Sequence, residues 1–330
     1  MRIFSAIGLV IALAQPGLAA DKTPVTIGAF SSPALTSEDF YQDMGRRLDE
    51  SGSFDVKLLV NGELGSDEAH FYALRRSRID IAGVGFQSVS TMLPELAVIN
   101  AAYLFSSWDE VDWVFETALT RYVDDLLLKQ GIIGIRHYGA AWHGVYAKQP
   151  MRVPADLIGR RYRALIDPAS QLFAQALGVD LFQVASTEIL TSLQTGLIDA
   201  GETNSHVYNI TGTSEAAPFY TRTRHTPSII TLLASKRWWD RLTRDQQELV
   251  MASYPPMRAA GGALRADEER MLASADHVTL IEPNPPELEL WRGAGQSTHG
   301  ALIEQIGGNA QELYDLIMAA KAAYAADQEG

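Results

Sequence analysis

The sequence predicts an α/β protein with mainly parallel sheets flanked by helices and divided into two domains. Short β-type segments alternate with amphipathic helical segments along the chain, which is typical of parallel strands joined by crossover helices. The chain has 330 residues, a length at which two domains with separate cores are expected. The alternation restarts after Pro150.

The elements before Pro150 are predicted from hydrophobic pattern and boundary residues. Thr36, Ser37 and Asp39 supply N-cap chemistry for a first helix, and Gly52 lies just beyond its end. Gly131 ends a long amphipathic stretch. The predicted strands span residues 25–30, 55–60, 79–84 and 132–138, and the predicted helices span residues 36–50, 66–76 and 108–130.

The elements after Pro150 follow the same alternation until the chain becomes mostly helical. The predicted strands span residues 160–165, 181–184, 198–202 and 226–234, and the predicted helices span residues 168–177 and 186–194, with a further helical turn near residue 204. The pairs Pro255-Pro256 and Gly261-Gly262 predict a kink in the helical tail, because proline removes a backbone donor. We interpret the acidic run at residues 267–269 as a solvated helix face.

Composition excludes some classes of function. Hydrophobic residues make up 47% of the chain and charged residues 20%, as in globular proteins. The formal net charge of −13 argues against binding to nucleic acid, which depends on Lys and Arg to neutralise phosphates. The absence of cysteine excludes disulfides, thiolate metal sites and cysteine nucleophiles.

The first twenty residues predict export. Met1-Arg2 precedes an apolar run over residues 3–13, and small residues end the segment at Ala19 and Ala20. These are the parts of a secretory signal peptide, here residues 1–20, with cleavage after Ala19 or Ala20. A buried N-terminal helix is the alternative. The apolar run is short for a membrane span, so we expect a periplasmic protein that does not itself span the membrane.

The common catalytic motifs are missing. Residues 83–88 read GVGFQS after a strand, without the third glycine of a dinucleotide fingerprint. This segment is better interpreted as a tight turn whose backbone amides face a ligand. The sequence contains no phosphate-binding P-loop, no nucleophile elbow and no histidine pair at metal-ligand spacing. We therefore predict no cofactor, no metal and no enzymatic activity.

Two segments carry a more specific pattern. Residues 148–163 read KQPMRVPADLIGRRYR, and residues 187–202 read TEILTSLQTGLIDAGE. Shorter matches are NGELG at residues 61–65, RIDIA at residues 78–82 and WWDRL at residues 238–242. In this order, these segments resemble the solute-binding proteins of tripartite ATP-independent periplasmic (TRAP) transporters, which include binders of C4-dicarboxylates and sialic acid.

The resemblance implies a periplasmic-binding-protein-like architecture. Domain I would comprise residues 21–140 and 229–268, and domain II residues 141–228 and 269–330, with a long helix crossing both. The protein would capture an organic acid in the cleft between the domains and deliver it to integral-membrane permease subunits, acting as a monomer. Two alternatives stay open: a periplasmic enzyme that acts on an acidic sugar through Glu202 or His143, and a sensory ligand-binding protein.

Arg163 is the main predicted ligand-binding residue. Its planar guanidinium suits a carboxylate, and it falls on the carboxylate-binding arginine of the family. Arg160 and Arg161 are interpreted as exposed. His143 stands where many members carry a second arginine, so its contribution should depend on pH. A buried strand histidine is the alternative for His143.

The remaining candidates are less specific. Thr203 occupies the place of a ligand-binding asparagine of the family, with Asn204 beside it, and Ser186 the place of a frequent aromatic. These departures favour a monocarboxylate or another polar acid over a compact dicarboxylate. Three aromatic side chains fall near predicted strand ends and could line the site, with core packing as the alternative: Phe86, Trp142 and His206.

Overall fold

A computed structural model describes residues 22–33, 35–274 and 276–329 of the chain. The predicted signal peptide, residues 1–20, lies outside the described residues. None of the helices in the described part of the chain combines the length and the apolar composition needed to span a bilayer.

Ten strands form one continuous sheet in the order β2-β1-β3-β9-β4-β7-β5-β6, and β8 and β10 are attached to β4 through β8. The strands are β1 (Thr23–Ala29), β2 (Phe54–Leu59), β3 (Ile81–Gly85), β4 (Ile132–Ala147), β5 (Arg161–Ala164), β6 (Asp180–Gln183), β7 (Ala200–Asn204), β8 (Phe219–Thr221), β9 (Pro227–Ser235) and β10 (Thr279–Ile281).

Helices cover the sheet. The helices are α1 (Thr36–Glu50), α2 (Asp67–Arg75), α3 (Phe86–Ser90), α4 (Trp108–Val114), α5 (Thr120–Lys129), α6 (Pro168–Ala176), α7 (Ile189–Gln194), α8 (Ser205–Ile210), α9 (Thr213–Ala216), α10 (Lys236–Trp239), α11 (Arg244–Ala252), α12 (Met257–Ser274), α13 (Pro285–Gln296), α14 (His299–Ile306) and α15 (Ala310–Glu329). A π-helical turn, Phe115–Leu119, joins α4 to α5, so the predicted long helix over this stretch is confirmed.

Strand β4 joins the two halves of the sheet. Its first part pairs antiparallel with β9, from Ile132 to Trp142, and its last part pairs antiparallel with β7 and β8, from His143 to Ala147. The pairs β1–β2, β1–β3, β5–β6, β5–β7 and β8–β10 are parallel. The predicted parallel arrangement is thus correct except where β4 and β9 cross between the halves.

The first half-sheet is buried on both faces. Ala82 and Val84 of β3 belong to one cluster of buried apolar side chains, and Ile81 belongs to another, as expected when successive side chains point to opposite faces. The first cluster also contains Leu313 and Ile317 of α15. The predicted domain boundaries stay a prediction.

Helix α12 contacts both halves, through α1 on one side and α8 on the other. The predicted kink is correct at Pro255 and Pro256, which lie in the break between α11 and α12, and wrong at Gly261 and Gly262, which lie inside an unbroken helix. A Cβ atom at Gly261 would lie 2.7 Å from the carbonyl oxygen of Gly139. This glycine therefore permits close packing of α12 on β4.

The acidic run of α12 is only partly the solvated face that the sequence predicts, because Glu269 is exposed whereas Asp267 and Glu268 are buried. Asp267 is 2% exposed and its Oδ2 accepts the backbone N–H of Thr36 at 2.8 Å, which caps α1. Glu268 is 5% exposed and accepts the backbone N–H of Trp142. Both carboxylates accept hydrogen bonds from backbone N–H groups that would otherwise have no partner. The cap of α1 therefore comes from α12 rather than from residues 36–39.

Candidate functional site

A cavity of about 300 Å³ opens where the carboxyl ends of β3, β5, β6 and β7 meet. This is the position at which open α/β sheets bind ligands. Residues of α1, α2 and α3 form one wall, the ends of β5, β6 and β7 form the opposite wall, and β4, β9 and α12 close the base. Six of the residues predicted from the sequence line the cavity: Arg163, His143, Thr203, Asn204, Ser186 and His206.

Arg163 lies in the wall formed by the ends of β5, β6 and β7. It is 4% exposed, and hydrogen bonds hold its guanidinium in place. Its Nε donates to the carbonyl oxygen of Val184 at 3.0 Å and its Nη1 to that of Glu202 at 2.9 Å. Nη2 donates to Oγ of Ser186 at 3.4 Å. Each terminal nitrogen keeps one further N–H without a partner among the described residues. The guanidinium is thus prepared to hold two oxygens of an anion.

A buried chain of polar groups stands behind Arg163. Oε2 of Glu202 lies 2.8 Å from Nε2 of His225, and Nδ1 of His225 lies 2.7 Å from Oγ1 of Thr223. The other carboxylate oxygen of Glu202 accepts the backbone N–H of Leu165 at 3.1 Å. Although burial opposes ionisation, the hydrogen bond from His225 lowers the pKa of Glu202. Glu202 itself is not among the lining residues.

His143 lies at the base of the cavity and is 3% exposed. Neither ring nitrogen has a hydrogen-bond partner in the described part of the chain. Burial, together with His225 and Arg163, lowers the pKa of His143 to about 3, although the carboxylate of Glu202 opposes this shift. The imidazole is therefore neutral at physiological pH in the ligand-free protein, and it offers one donor and one acceptor rather than a charge.

Asn204, His206 and Thr203 also line the cavity, and the side chains of Asn204 and His206 form hydrogen bonds within the protein. Oδ1 of Asn204 accepts the N–H of Val207 at 3.0 Å, which caps α8, and Nδ2 donates to Oγ of Ser228 at 3.0 Å. Nε2 of His206 donates to the carbonyl oxygen of Leu264 at 3.0 Å, and burial lowers its pKa to about 4. The Thr203 side chain is buried in the lining.

The wall formed by α1, α2 and α3 contains residues that sequence reasoning missed. Asp67 and Glu68 begin α2 and line the cavity together with Gln87. Oδ2 of Asp67 accepts the backbone N–H of Gly85 at 2.8 Å. That amide was expected to face a ligand, but it binds Asp67 instead. The available sequence signal was the strand-end turn at residues 83–88, which places Gln87 at the cavity.

Phe86 and Trp142 lie outside the cavity. Phe86 is fully buried and packs edge-on against Phe115 and His137. The Trp142 ring packs 4.5 Å from that of Trp108 and lines a different cavity. Since neighbouring side chains of a strand point to opposite faces, Trp142 faces away from the side that His143 lines.

Metal binding has no support in the described residues, since no three His, Cys, Asp or Glu side chains are placed to share an ion. The polar groups that converge on the cavity instead suit an organic anion. Arg163 supplies charge, and His143 and Gln87 supply polar nitrogens that have no partner in the described structure.

A family model described as DctP, bacterial extracellular solute-binding protein family 7, matches residues 30–305. This chain belongs to that family. The predicted resemblance to TRAP solute-binding proteins is thereby confirmed. The chain is a periplasmic solute-binding protein.

Relatives of this family 7 protein cover nearly its whole length. The C4-dicarboxylate-binding periplasmic protein DctP of Rhodobacter capsulatus is 22% identical over 333 aligned residues, which cover 98% of this chain and 97% of that protein. The sugar acid binding protein DctPAm of Advenella mimigardefordensis, solved with galactonate, is 20% identical, with a TM-score of 0.82 over 91% of this chain and 99% of that chain.

A third relative is a TRAP periplasmic solute-binding protein of Roseobacter denitrificans, solved with β-D-glucuronate. It is 18% identical, with a TM-score of 0.81 over 91% of this chain and 99% of that chain. The two solved structures confirm the predicted fold class of the family 7 protein.

Proposed function

We propose that this protein captures an organic acid in the periplasm and delivers it to the membrane permease of a TRAP transporter. The carboxylate lies against Arg163, which donates its two remaining N–H groups in parallel, and His143 donates a further hydrogen bond from the base of the cavity. Thr203, Asn204 and Ser186 surround these two residues. One observation carries the proposal: the guanidinium of Arg163 is buried, is fixed by hydrogen bonds to two backbone carbonyls, and faces the cavity with N–H groups that have no partner in the described residues.

The relatives support a carboxylate ligand. The printed descriptions name C4-dicarboxylate, galactonate and β-D-glucuronate as the compounds that those proteins bind or contain. Each carries a carboxylate group, the chemistry that Arg163 recognises.

A thermal-shift screen of organic acids tests the proposal. A ligand at one hundred times its dissociation constant stabilises the folded protein by about 2.7 kcal/mol. We expect at least one carboxylic acid to raise the melting temperature, and the corresponding primary amide, which lacks the charge, to have no effect. Equal stabilisation by acid and amide would contradict carboxylate capture.

The protein returns its ligand unchanged. Glu202 is 1% exposed, does not line the cavity and is hydrogen-bonded to His225 and Leu165, so its carboxylate does not reach a ligand bound there. NMR spectra of the ligand before and after prolonged incubation with the protein should be identical. A new product would favour the enzymatic alternative.

Export through the predicted signal peptide and action as a single chain complete the proposal. Mass spectrometry of the exported protein should show a chain beginning after Ala19 or Ala20, and light scattering should give the mass of one such chain. Retention of Met1, or the mass of a dimer, would contradict these two points.

A further inference from the structure

The cavity has walls of opposite charge. Arg163 is the only Arg or Lys among the lining residues that the structure describes, whereas Asp67 and Glu68 stand in the wall that α2 contributes. The lining therefore carries one fixed positive charge and two acidic groups. A carboxylate is attracted to one wall, and a second carboxylate on the same ligand would approach the acidic wall.

Asp67 is held in place. Its Oδ2 accepts the backbone N–H of Gly85 at 2.8 Å, and a Cβ atom at Gly85 would lie 2.9 Å from this oxygen. Glycine therefore permits the carboxylate to approach the strand end this closely. Burial and, to a smaller extent, the charge of Glu68 raise the pKa of Asp67 to about 7, although the hydrogen bond from Gly85 opposes this shift. The surroundings of Asp67 thus already disfavour negative charge.

Gln87 supplies a donor beside this acceptor. Its Nε2 is buried and has no hydrogen-bond partner in the described part of the chain. The same Cβ atom at Gly85 would lie 2.9 Å from Oδ2 of Asp67 and 3.2 Å from Oε1 of Gln87, so the carboxylate and the amide that carries Nε2 both lie beside the end of β3. A hydroxyl group both donates and accepts, whereas an ammonium group only donates.

We propose that Asp67, Glu68 and Gln87 make this site selective for a hydroxylated monocarboxylate, a sugar-acid type of ligand, over a dicarboxylate. This inference rests on the proposed function. The carboxylate binds Arg163, and a hydroxyl at the far end donates to Asp67 and accepts from Nε2 of Gln87. A second carboxylate at that end would meet two acidic side chains without a cation.

Four acids with six carbon atoms test this selectivity by calorimetry: D-gluconate, hexanoate, 6-aminohexanoate and adipate. They differ in what they present at the end away from the first carboxylate: hydroxyls, a methyl group, an ammonium group or a second carboxylate. We expect D-gluconate to bind at least tenfold more tightly than each of the others. Adipate or 6-aminohexanoate binding as tightly as D-gluconate would overturn the inference.

Asp67→Asn tests the assignment to this wall, because the amide keeps an oxygen for the N–H of Gly85 and removes the charge. We expect the preference for D-gluconate over adipate to fall at least fivefold. Asp125→Asn, at an exposed position of α5, removes the same charge and should leave the preference unchanged. An unchanged preference in Asp67→Asn would overturn the inference.

Arg163→Ala separates this inference from the proposed function. Loss of adipate binding in Arg163→Ala, with adipate the tightest ligand of the wild type, would leave carboxylate capture standing and overturn the selectivity. If none of the four acids binds the wild type, the selectivity inference fails, whereas the proposed function is decided by the thermal-shift screen of organic acids.

Discussion

Nε2 of His225 lies 2.8 Å from Oε2 of Glu202, and each of the two side chains is 1% exposed. His225 belongs to the short connection between β8 and β9, and its backbone N–H donates to the carbonyl oxygen of His143 at 3.3 Å. The backbone carbonyl of Glu202 in turn accepts from Arg163. The Glu202–His225 pair thus links Arg163 of the proposed carboxylate site to β4, the strand that joins the two halves of the sheet.

Replacing His225 by Phe should destabilise the protein strongly. The ring would still pack against Phe173, which lies 4.8 Å from the imidazole, but the carboxylate of Glu202 would lose a buried partner. Breaking a buried pair from one side costs about 3–5 kcal/mol. Urea denaturation measures the change in the free energy of unfolding.

The control for His225 is an exposed pair of the same residue types. His277 lies 3.6 Å from Glu215, with side-chain exposures of 47% and 72%. Because exposed ion pairs contribute at most about 1 kcal/mol, His277→Phe should change stability little. Similar losses for the two variants would show that the burial of the Glu202–His225 pair has no special effect.

The neutral state of His143 predicts an acid-sensitive fold. The folded-state pKa of about 3 lies below the usual value of 6.5, so the unfolded chain binds the proton more readily between these values. The stability associated with His143 is therefore complete above about pH 6.5 and is lost progressively as the pH falls towards 3. At pH 4 the loss is on the order of 3 kcal/mol.

His143→Gln removes this titration. The free energy of unfolding, measured by urea denaturation of ligand-free protein from pH 4 to pH 8, should fall less steeply towards acid in the variant than in the wild type. A constant difference across the range, which would reflect packing alone, would contradict a buried neutral imidazole.

Adjacent glycines in α12 allow a matched test of helix packing. A Cβ atom at Gly261 would lie 2.7 Å from the carbonyl oxygen of Gly139, whereas one at Gly262 would have nothing within 4 Å. Gly261→Ala should cost about 1–3 kcal/mol through overpacking, whereas Gly262→Ala should stabilise the helix by up to about 1 kcal/mol. Thermal unfolding of both variants measures the difference, and equal effects would argue against close contact between α12 and β4.

Local patterns predicted most helices and strands because caps, glycines and hydrophobic periodicity act over a few residues. The predicted helix over residues 36–50 coincides with α1, but its cap comes from Asp267, 231 residues away. The predicted strand over residues 132–138 continues to Ala147 as β4. Its extension depends on pairing with β7 and β8, which the local sequence does not reveal.

The candidate site was predictable on one wall only. Arg163 stands in a motif, and its burial and its hydrogen bonds to Val184, Glu202 and Ser186 agree with a ligand role that stays a proposal. Asp67 carries no signal in the sequence, because an acidic residue at the start of a helix is common for reasons of capping and dipole. Its position opposite Arg163 follows from the assembly of the two half-sheets.

Calorimetric titration of Arg163→Ala with the acid that most stabilises the wild type tests carboxylate capture most directly. Arg160→Ala is the control, because Arg160 is exposed three positions earlier in the chain. We expect Arg163→Ala to lose about 2–5 kcal/mol of binding free energy, since the ligand carboxylate would be buried without its cation, and Arg160→Ala to bind as the wild type does. Wild-type affinity in Arg163→Ala would contradict the account.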